Sequence, residues 1–127
     1  MVLVLLFLLF IVVILCDLVF FYFVKDMFNR QIMDIQGTPI VLNTKMLIGS
    51  LLTYILIVGG FYKFIILGKK TWWEAFLLGF VVYGIYEMTN YALFSKWRWT
   101  TAMIDTLWGG VLFTLVFWIH KKYLSNM

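Results

Sequence analysis

Residues 2–24 of the chain read VLVLLFLLFIVVILCDLVFFYFV, an apolar run that only Cys16 and Asp17 interrupt. An α-helix needs about 20 apolar residues to cross the hydrocarbon core of a bilayer. No basic region precedes the run and no small-residue cleavage pattern follows it, so we expect it to be retained rather than removed as a signal peptide. This run predicts an integral membrane protein.

Three further apolar stretches follow, at about residues 46–67, 72–94 and 100–119. Each has the length of a transmembrane helix, and unpaired backbone groups are too costly in lipid for open, irregular structure. Hydrophobic residues make up 65% of the 127 residues and charged residues only 13%, which is more apolar surface than so short a soluble domain can bury. The sequence therefore predicts one all-α domain over residues 1–127, a bundle of four transmembrane helices.

The connection after the first span has a pattern of its own. In residues 25–37, apolar side chains recur at roughly helical spacing among charged ones, and Gly37 and Pro39 then form a helix stop. This pattern predicts a short amphipathic helix on the membrane surface, and an ordered loop is the alternative.

The orientation of the predicted bundle stays open. Its two sides carry five lysine or arginine residues each, so the positive-inside rule does not decide between them. Tryptophans mark both predicted membrane interfaces. They are Trp72, Trp73 and Trp118 on one side, and Trp97 and Trp99 on the other.

Three acidic residues fall within the predicted spans. At about 1.5 Å of rise per residue, Asp17, Glu87 and Asp105 all lie about 8–10 Å from the same membrane face. A charge in hydrocarbon costs at least about 2.5 kcal/mol, so such acids usually face the interior of a bundle. We predict that they form a polar core with Asn90, which follows Glu87 on the same helical face. The residues predicted to support this core are Thr53, Tyr54, Tyr83, Tyr86, Thr89 and Trp108.

Three chemical states are open for the predicted core. The acids can be neutral and hydrogen-bonded to the amide and hydroxyl groups around them. Basic side chains such as Lys25 and Arg98 can reach inward and pair with them. A metal or alkali cation can also share their oxygens, and the sequence leaves its identity unknown.

The sequence favours a non-enzymatic membrane protein whose polar core locks the bundle or binds a proton or cation. One alternative is a structural or assembly component of a cellular or viral membrane, with the lipid bilayer, further copies of the chain or a larger virion assembly as partners. The other is a lipid-modifying enzyme that uses an acid such as Glu87 as general acid or base. With one cysteine, one histidine and no phosphate-binding loop, the chain predicts no catalytic residues and no cofactor. Its scattered basic residues predict no nucleic-acid binding.

Residues 86–112, YEMTNYALFSKWRWTTAMIDTLWGGVL, resemble the signature of the small predicted membrane proteins called domain of unknown function 2177. In that family a Tyr-acid-x-Thr-Asn run ends the third helix, and an Asp-x-x-Trp-Gly run lies in the fourth. Asp17 and residues 28–30 resemble the family's opening, and Glu87 stands where aspartate is usual. The resemblance implies a compact four-helix membrane protein of bacteria or large DNA viruses, and a virion-membrane component if the source is viral. It implies no activity.

Overall fold

The computed structural model describes all 127 residues, and its regular structure is entirely helical. Four α-helices follow one another along the chain, and the second and fourth each end in a π-helical turn. The helices are α1 (Val2–Gln36), α2 (Thr44–Phe61), α3 (Trp72–Leu93) and α4 (Trp99–Ile119), and the π-helical turns are Tyr62–Ile66 and His120–Leu124. The last three helices, with their turns, lie close to the stretches expected at 46–67, 72–94 and 100–119.

α1 is one continuous helix of 35 residues, and it differs from the predicted division into a span and a surface helix. The separate interfacial helix predicted for residues 25–37 is not formed, because those residues continue α1 as far as Gln36. No glycine or proline interrupts this part of the chain, so the backbone hydrogen bonds of the helix continue without a break. α1 ends at Gly37, which takes a φ of 75° and donates its N–H to the Met33 carbonyl at 2.9 Å.

α3 and α4 form a closely packed antiparallel hairpin. Gly79 and Gly109 face each other, and a Cβ on either one would overlap the carbonyl oxygen of the other. Gly84 packs against Thr106 further along the same interface. Small residues are what allow two helix backbones to approach so closely. The hairpin is therefore the most closely packed part of the bundle.

The apolar core lies at the end of the bundle that holds both chain termini. It takes buried side chains from all four helices, and Phe61 of α2 packs edge-to-face on Phe113 of α4 with ring centroids 5.7 Å apart. The other buried apolar core residues are Leu5, Leu9, Val13, Ile57, Val58, Ile65, Ala75, Leu112 and Val116. One turn beyond Val13 along α1, the inward-facing position is occupied by Asp17, and this carboxyl group marks the candidate site.

Three helical segments are long and apolar enough to cross a membrane, namely Val2–Gln36, Thr44–Ile66 and Trp99–Leu124. α3 is not among them, since Glu87 and Asn90 lower its hydropathy. Only 22 of the 127 residues are buried, and most large apolar side chains face outward. Such a surface is unfavourable in water and suits a lipid surrounding.

Candidate functional site

Asp17 continues the inward-facing stripe of α1, one turn after Val13 and two turns after Leu9. Its carboxylate accepts a hydrogen bond from the Tyr54 hydroxyl at 2.5 Å and another from the Trp108 indole N–H at 2.8 Å. Tyr54 belongs to α2 and Trp108 to α4, so a single carboxylate joins three helices.

Two further aromatic residues complete the surroundings of Asp17. The Tyr83 hydroxyl of α3 faces the same carboxylate, and the Phe20 ring stacks on the Trp108 ring with centroids 4.5 Å apart. A carboxylate that accepts strong hydrogen bonds costs much less to bury than a bare one. The donors around Asp17 therefore make an ionised carboxylate tolerable at this position.

Glu87 and Asp105 form a carboxyl pair between α3 and α4. Glu87 is 0% exposed and Asp105 is 8% exposed, and the two carboxyl groups lie against each other. The Trp97 indole N–H donates to Oε1 of Glu87 at 3.0 Å, whereas Oε2 has no N–H or O–H donor from any other residue. Two ionised carboxylates in contact repel strongly, and one proton held between them replaces that repulsion by a hydrogen bond. The geometry thus favours a pair that carries one proton.

The three acids lie in one layer that has two parts. Asp17 with its aromatic donors forms the first part, and the Glu87–Asp105 pair forms the second. The two parts are close enough for the charges of Asp17 and Asp105 to interact. We call Asp17, Glu87 and Asp105 together the carboxyl layer.

No basic side chain neutralises the carboxyl layer. Arg98 instead makes an exposed ion pair with Asp34 at 2.7 Å, and the Lys25 ammonium lies 5.0 Å from the centre of the Tyr22 ring. The inward pairing considered for Arg98 and Lys25 is therefore absent, because each finds a partner near the surface. The acids also do not converge on a common point, and no three His, Cys, Asp or Glu side chains are grouped as a metal ion would require.

Three of the residues expected in or around the polar core make no hydrogen bond to the carboxyl layer. Thr53 donates to the Gly49 carbonyl at 2.8 Å and Thr89 to the Ile85 carbonyl at 2.6 Å, so each hydroxyl is satisfied within its own helix. Asn90 faces Tyr86 on α3 and makes no hydrogen bond to the acids. Helical spacing places these residues near Glu87 in height, but it does not bring their side chains into contact with the acids. Thr53 lines the cleft beside the carboxyl layer, and Thr89 is exposed.

A cleft of about 640 Å³ opens beside the carboxyl layer. It lies between α2, the facing part of α1 and the α3–α4 hairpin, and α2 packs on α1 more than on α3. Its wall is mainly hydrophobic, since 13 of its 18 residues are aliphatic or aromatic, and three of these 13 are tyrosines that also carry a hydroxyl group. The polar groups there include Asp17, Tyr54, Tyr83 and Asp105.

Gln31 and Trp97 are structural residues that the sequence interpretation missed. The Gln31 side chain is fully buried, donates to the Lys96 carbonyl at 2.7 Å and accepts the Arg98 backbone N–H at 2.9 Å. It thereby fastens the end of α1 to the α3–α4 connection. Gln31 lies two heptads after Asp17, and this spacing indicates that both residues face the same side of α1. Trp97, predicted at a lipid interface, is only 6% exposed because it turns inward to Glu87.

Comparison with known proteins identifies the family to which the chain belongs. The chain matches the family model described as predicted membrane protein (DUF2177), and the match covers residues 2–120. No curated protein and no solved structure matches the chain. The matched range includes all four helices and every member of the carboxyl layer. The chain therefore belongs to the predicted membrane protein family DUF2177.

Proposed function

We propose that this chain is a non-enzymatic membrane protein with four transmembrane helices, in which the carboxyl layer binds a proton and locks the bundle. The observation that carries the proposal is the contact between the Glu87 and Asp105 carboxyl groups, which have no cationic partner. The proton turns the repulsion between the two carboxyl groups into a hydrogen bond, and the pair then joins the last turns of α3 to the first turns of α4.

The packing of α3 supports a fourth span. Gly79 meets Gly109, and Glu87 meets Asp105, so α3 and α4 stay in register over much of their length. At one end of the hairpin the rings of Tyr91 and Trp99 have centroids 5.3 Å apart. A helix that lies this close to a membrane-spanning partner shares its depth, and α3 can tolerate its lower hydropathy because its intramembrane carboxyl group, that of Glu87, faces Asp105 of α4.

The arrangement of donors supports a proton rather than a metal ion as the bound species. Asp17 already accepts hydrogen bonds on both oxygens, from Tyr54 and from Trp108. Oε1 of Glu87 is likewise occupied by Trp97. Hard cations such as Ca²⁺ need six to eight oxygen ligands, and no three of these side chains are grouped around a common point to supply them.

Neutral variants test whether this layer handles protons. We expect Asp17→Asn, Glu87→Gln and Asp105→Asn combined in one chain to leave folding largely intact, because each amide keeps the shape of the acid it replaces. The measurement is acidification of liposomes that contain the purified protein and an internal pH dye, under an imposed membrane potential. If the layer exchanges its proton with both sides of the membrane, wild-type protein acidifies them and the triple variant, which has no carboxyl group in the layer, does not.

The matched control for the flux measurement is Glu74→Gln. Glu74 is an exposed carboxylate at the start of α3, where it accepts the Thr71 backbone N–H at 2.8 Å. This variant removes one carboxylate without touching the layer, so its flux should equal that of wild type. Equal flux in wild type and the triple variant would exclude proton movement through these residues and leave only their role in holding the helices together.

A further inference from the structure

The cleft between α2 and the α3–α4 hairpin opens sideways, towards the lipid. Several of its wall residues are substantially exposed although they lie within the helices, and they include Leu56 at 76%, Phe64 at 60% and Tyr86 at 58%. In a bilayer these positions meet acyl chains rather than water. The occupant of the cleft must therefore arrive from the membrane.

The charges at the polar part of the cleft restrict what can enter. Asp17 and Asp105 line it, and no lysine, arginine or histidine does. If Glu87 and Asp105 share one proton, that pair and Asp17 still carry negative charge. A phosphate or carboxylate head group would be repelled, whereas a positive head group would be attracted strongly in so apolar a setting.

We propose that the cleft binds a single-chain cationic amphiphile, a long-chain primary amine, with its ammonium group at Asp17 and Asp105 and its chain along the apolar wall. The polar part supplies hydroxyl groups beside the carboxyl groups, from Tyr54 and Tyr83, and these can accept hydrogen bonds from the ammonium. The volume of about 640 Å³ lies within the ~300–1,000 Å³ of small-molecule sites. The inference rests on the proposed function in one respect, namely that the layer keeps negative charge while it holds its proton.

Neighbouring valines on α3 provide a matched pair of variants. Val82 lines the cleft and Val81 does not, and both are partly exposed, at 40% and 50%. Val82→Trp fills the cleft, whereas Val81→Trp adds the same bulk to a surface outside it. Because neither valine is buried, we expect both variants to fold, and gel filtration in detergent will confirm that they remain monodisperse.

The test uses a photoreactive hexadecylamine that carries a diazirine in its chain. Wild-type protein in phosphatidylcholine vesicles is irradiated with this probe, and adducts are quantified and mapped by mass spectrometry. We expect Val82→Trp to lose labelling about tenfold or more and Val81→Trp to keep it. The same probe with a carboxylic acid head should label wild type about tenfold less than the amine does.

Two outcomes would overturn the proposal. Equal labelling of the two tryptophan variants would show that the amine does not bind in the cleft. Equal labelling by the amine and the acid would show that the carboxyl layer does not select a cationic head group. Proton flux measured on the same preparations separates this proposal from the function above. Intact proton flux without labelling in the cleft would reject only the proposed amine binding. Labelling in the cleft without proton flux would reject only the movement of protons through the carboxyl layer.

Discussion

Replacing Asp105 with alanine is expected to lower the free energy of unfolding by about 3 kcal/mol, whereas asparagine at the same position should cost about 1 kcal/mol or less. Alanine removes the carboxyl group that lies against Glu87 and leaves a cavity beside a fully buried carboxyl group whose Oε2 has no other donor. Asparagine restores a donor, because its amide N–H can replace the shared proton. The measurement is equilibrium unfolding in mixed micelles, followed by tryptophan fluorescence.

The control for this comparison is Asp34→Ala. Asp34 pairs with Arg98 at 2.7 Å on the surface, and exposed ion pairs of this kind contribute about 0–1 kcal/mol. It therefore reports the effect of removing an aspartate where no buried partner depends on it. If alanine and asparagine at position 105 proved equally damaging, the hydrogen bond between the two carboxyl groups would not be what holds the pair together.

Replacing Gly79 with alanine is expected to force α3 and α4 apart and to lower the free energy of unfolding by about 3 kcal/mol. The new methyl group would overlap the carbonyl oxygen of Gly109, and a backbone atom cannot move aside as a flexible side chain can. The matched control is Gly59→Ala in α2, where a Cβ meets nothing within 4 Å. There the better helix propensity of alanine should leave the protein equally stable or more stable.

The two glycine variants are expected to differ in the sign of the change in the free energy of unfolding as well as in its size. Unfolding in mixed micelles gives both values in the same assay. A Gly79→Ala protein as stable as the Gly59→Ala protein would mean that the two helix backbones are not in contact. In that case the register that brings Glu87 to Asp105 would also be wrong.

The features that followed most directly from the sequence were those that depend on the length and hydropathy of its apolar runs. The apolar runs gave the helices, and about 1.5 Å of rise per residue gave Asp17, Glu87 and Asp105 a common height. Height along a helix does not determine rotation about its axis. For that reason the contact between Glu87 and Asp105 was foreseeable only as a possibility. It was not foreseeable that the Thr53 and Thr89 hydroxyl groups would donate to carbonyl groups of their own helices.

Two features depended on tertiary contacts that a periodic pattern does not contain. The charged residues after Val24 suggested a surface helix, but unbroken backbone hydrogen bonding and the contacts of Gln31 keep the segment in α1. Trp97 had the composition of an interface residue, and only the nearby Glu87 carboxylate explains why its indole turns inward. In both cases a buried polar partner outweighed the local preference.

Infrared spectroscopy of the protein in bilayers at neutral pH tests most directly whether Glu87 and Asp105 hold a proton between them. A protonated carboxyl group absorbs apart from ionised carboxylates, so one buried acid can be detected among several. The account predicts a protonated carboxyl band in wild type that remains in Glu74→Gln and disappears in the Glu87→Gln, Asp105→Asn double variant. The absence of this band in wild type, or its persistence in the double variant, would contradict the account.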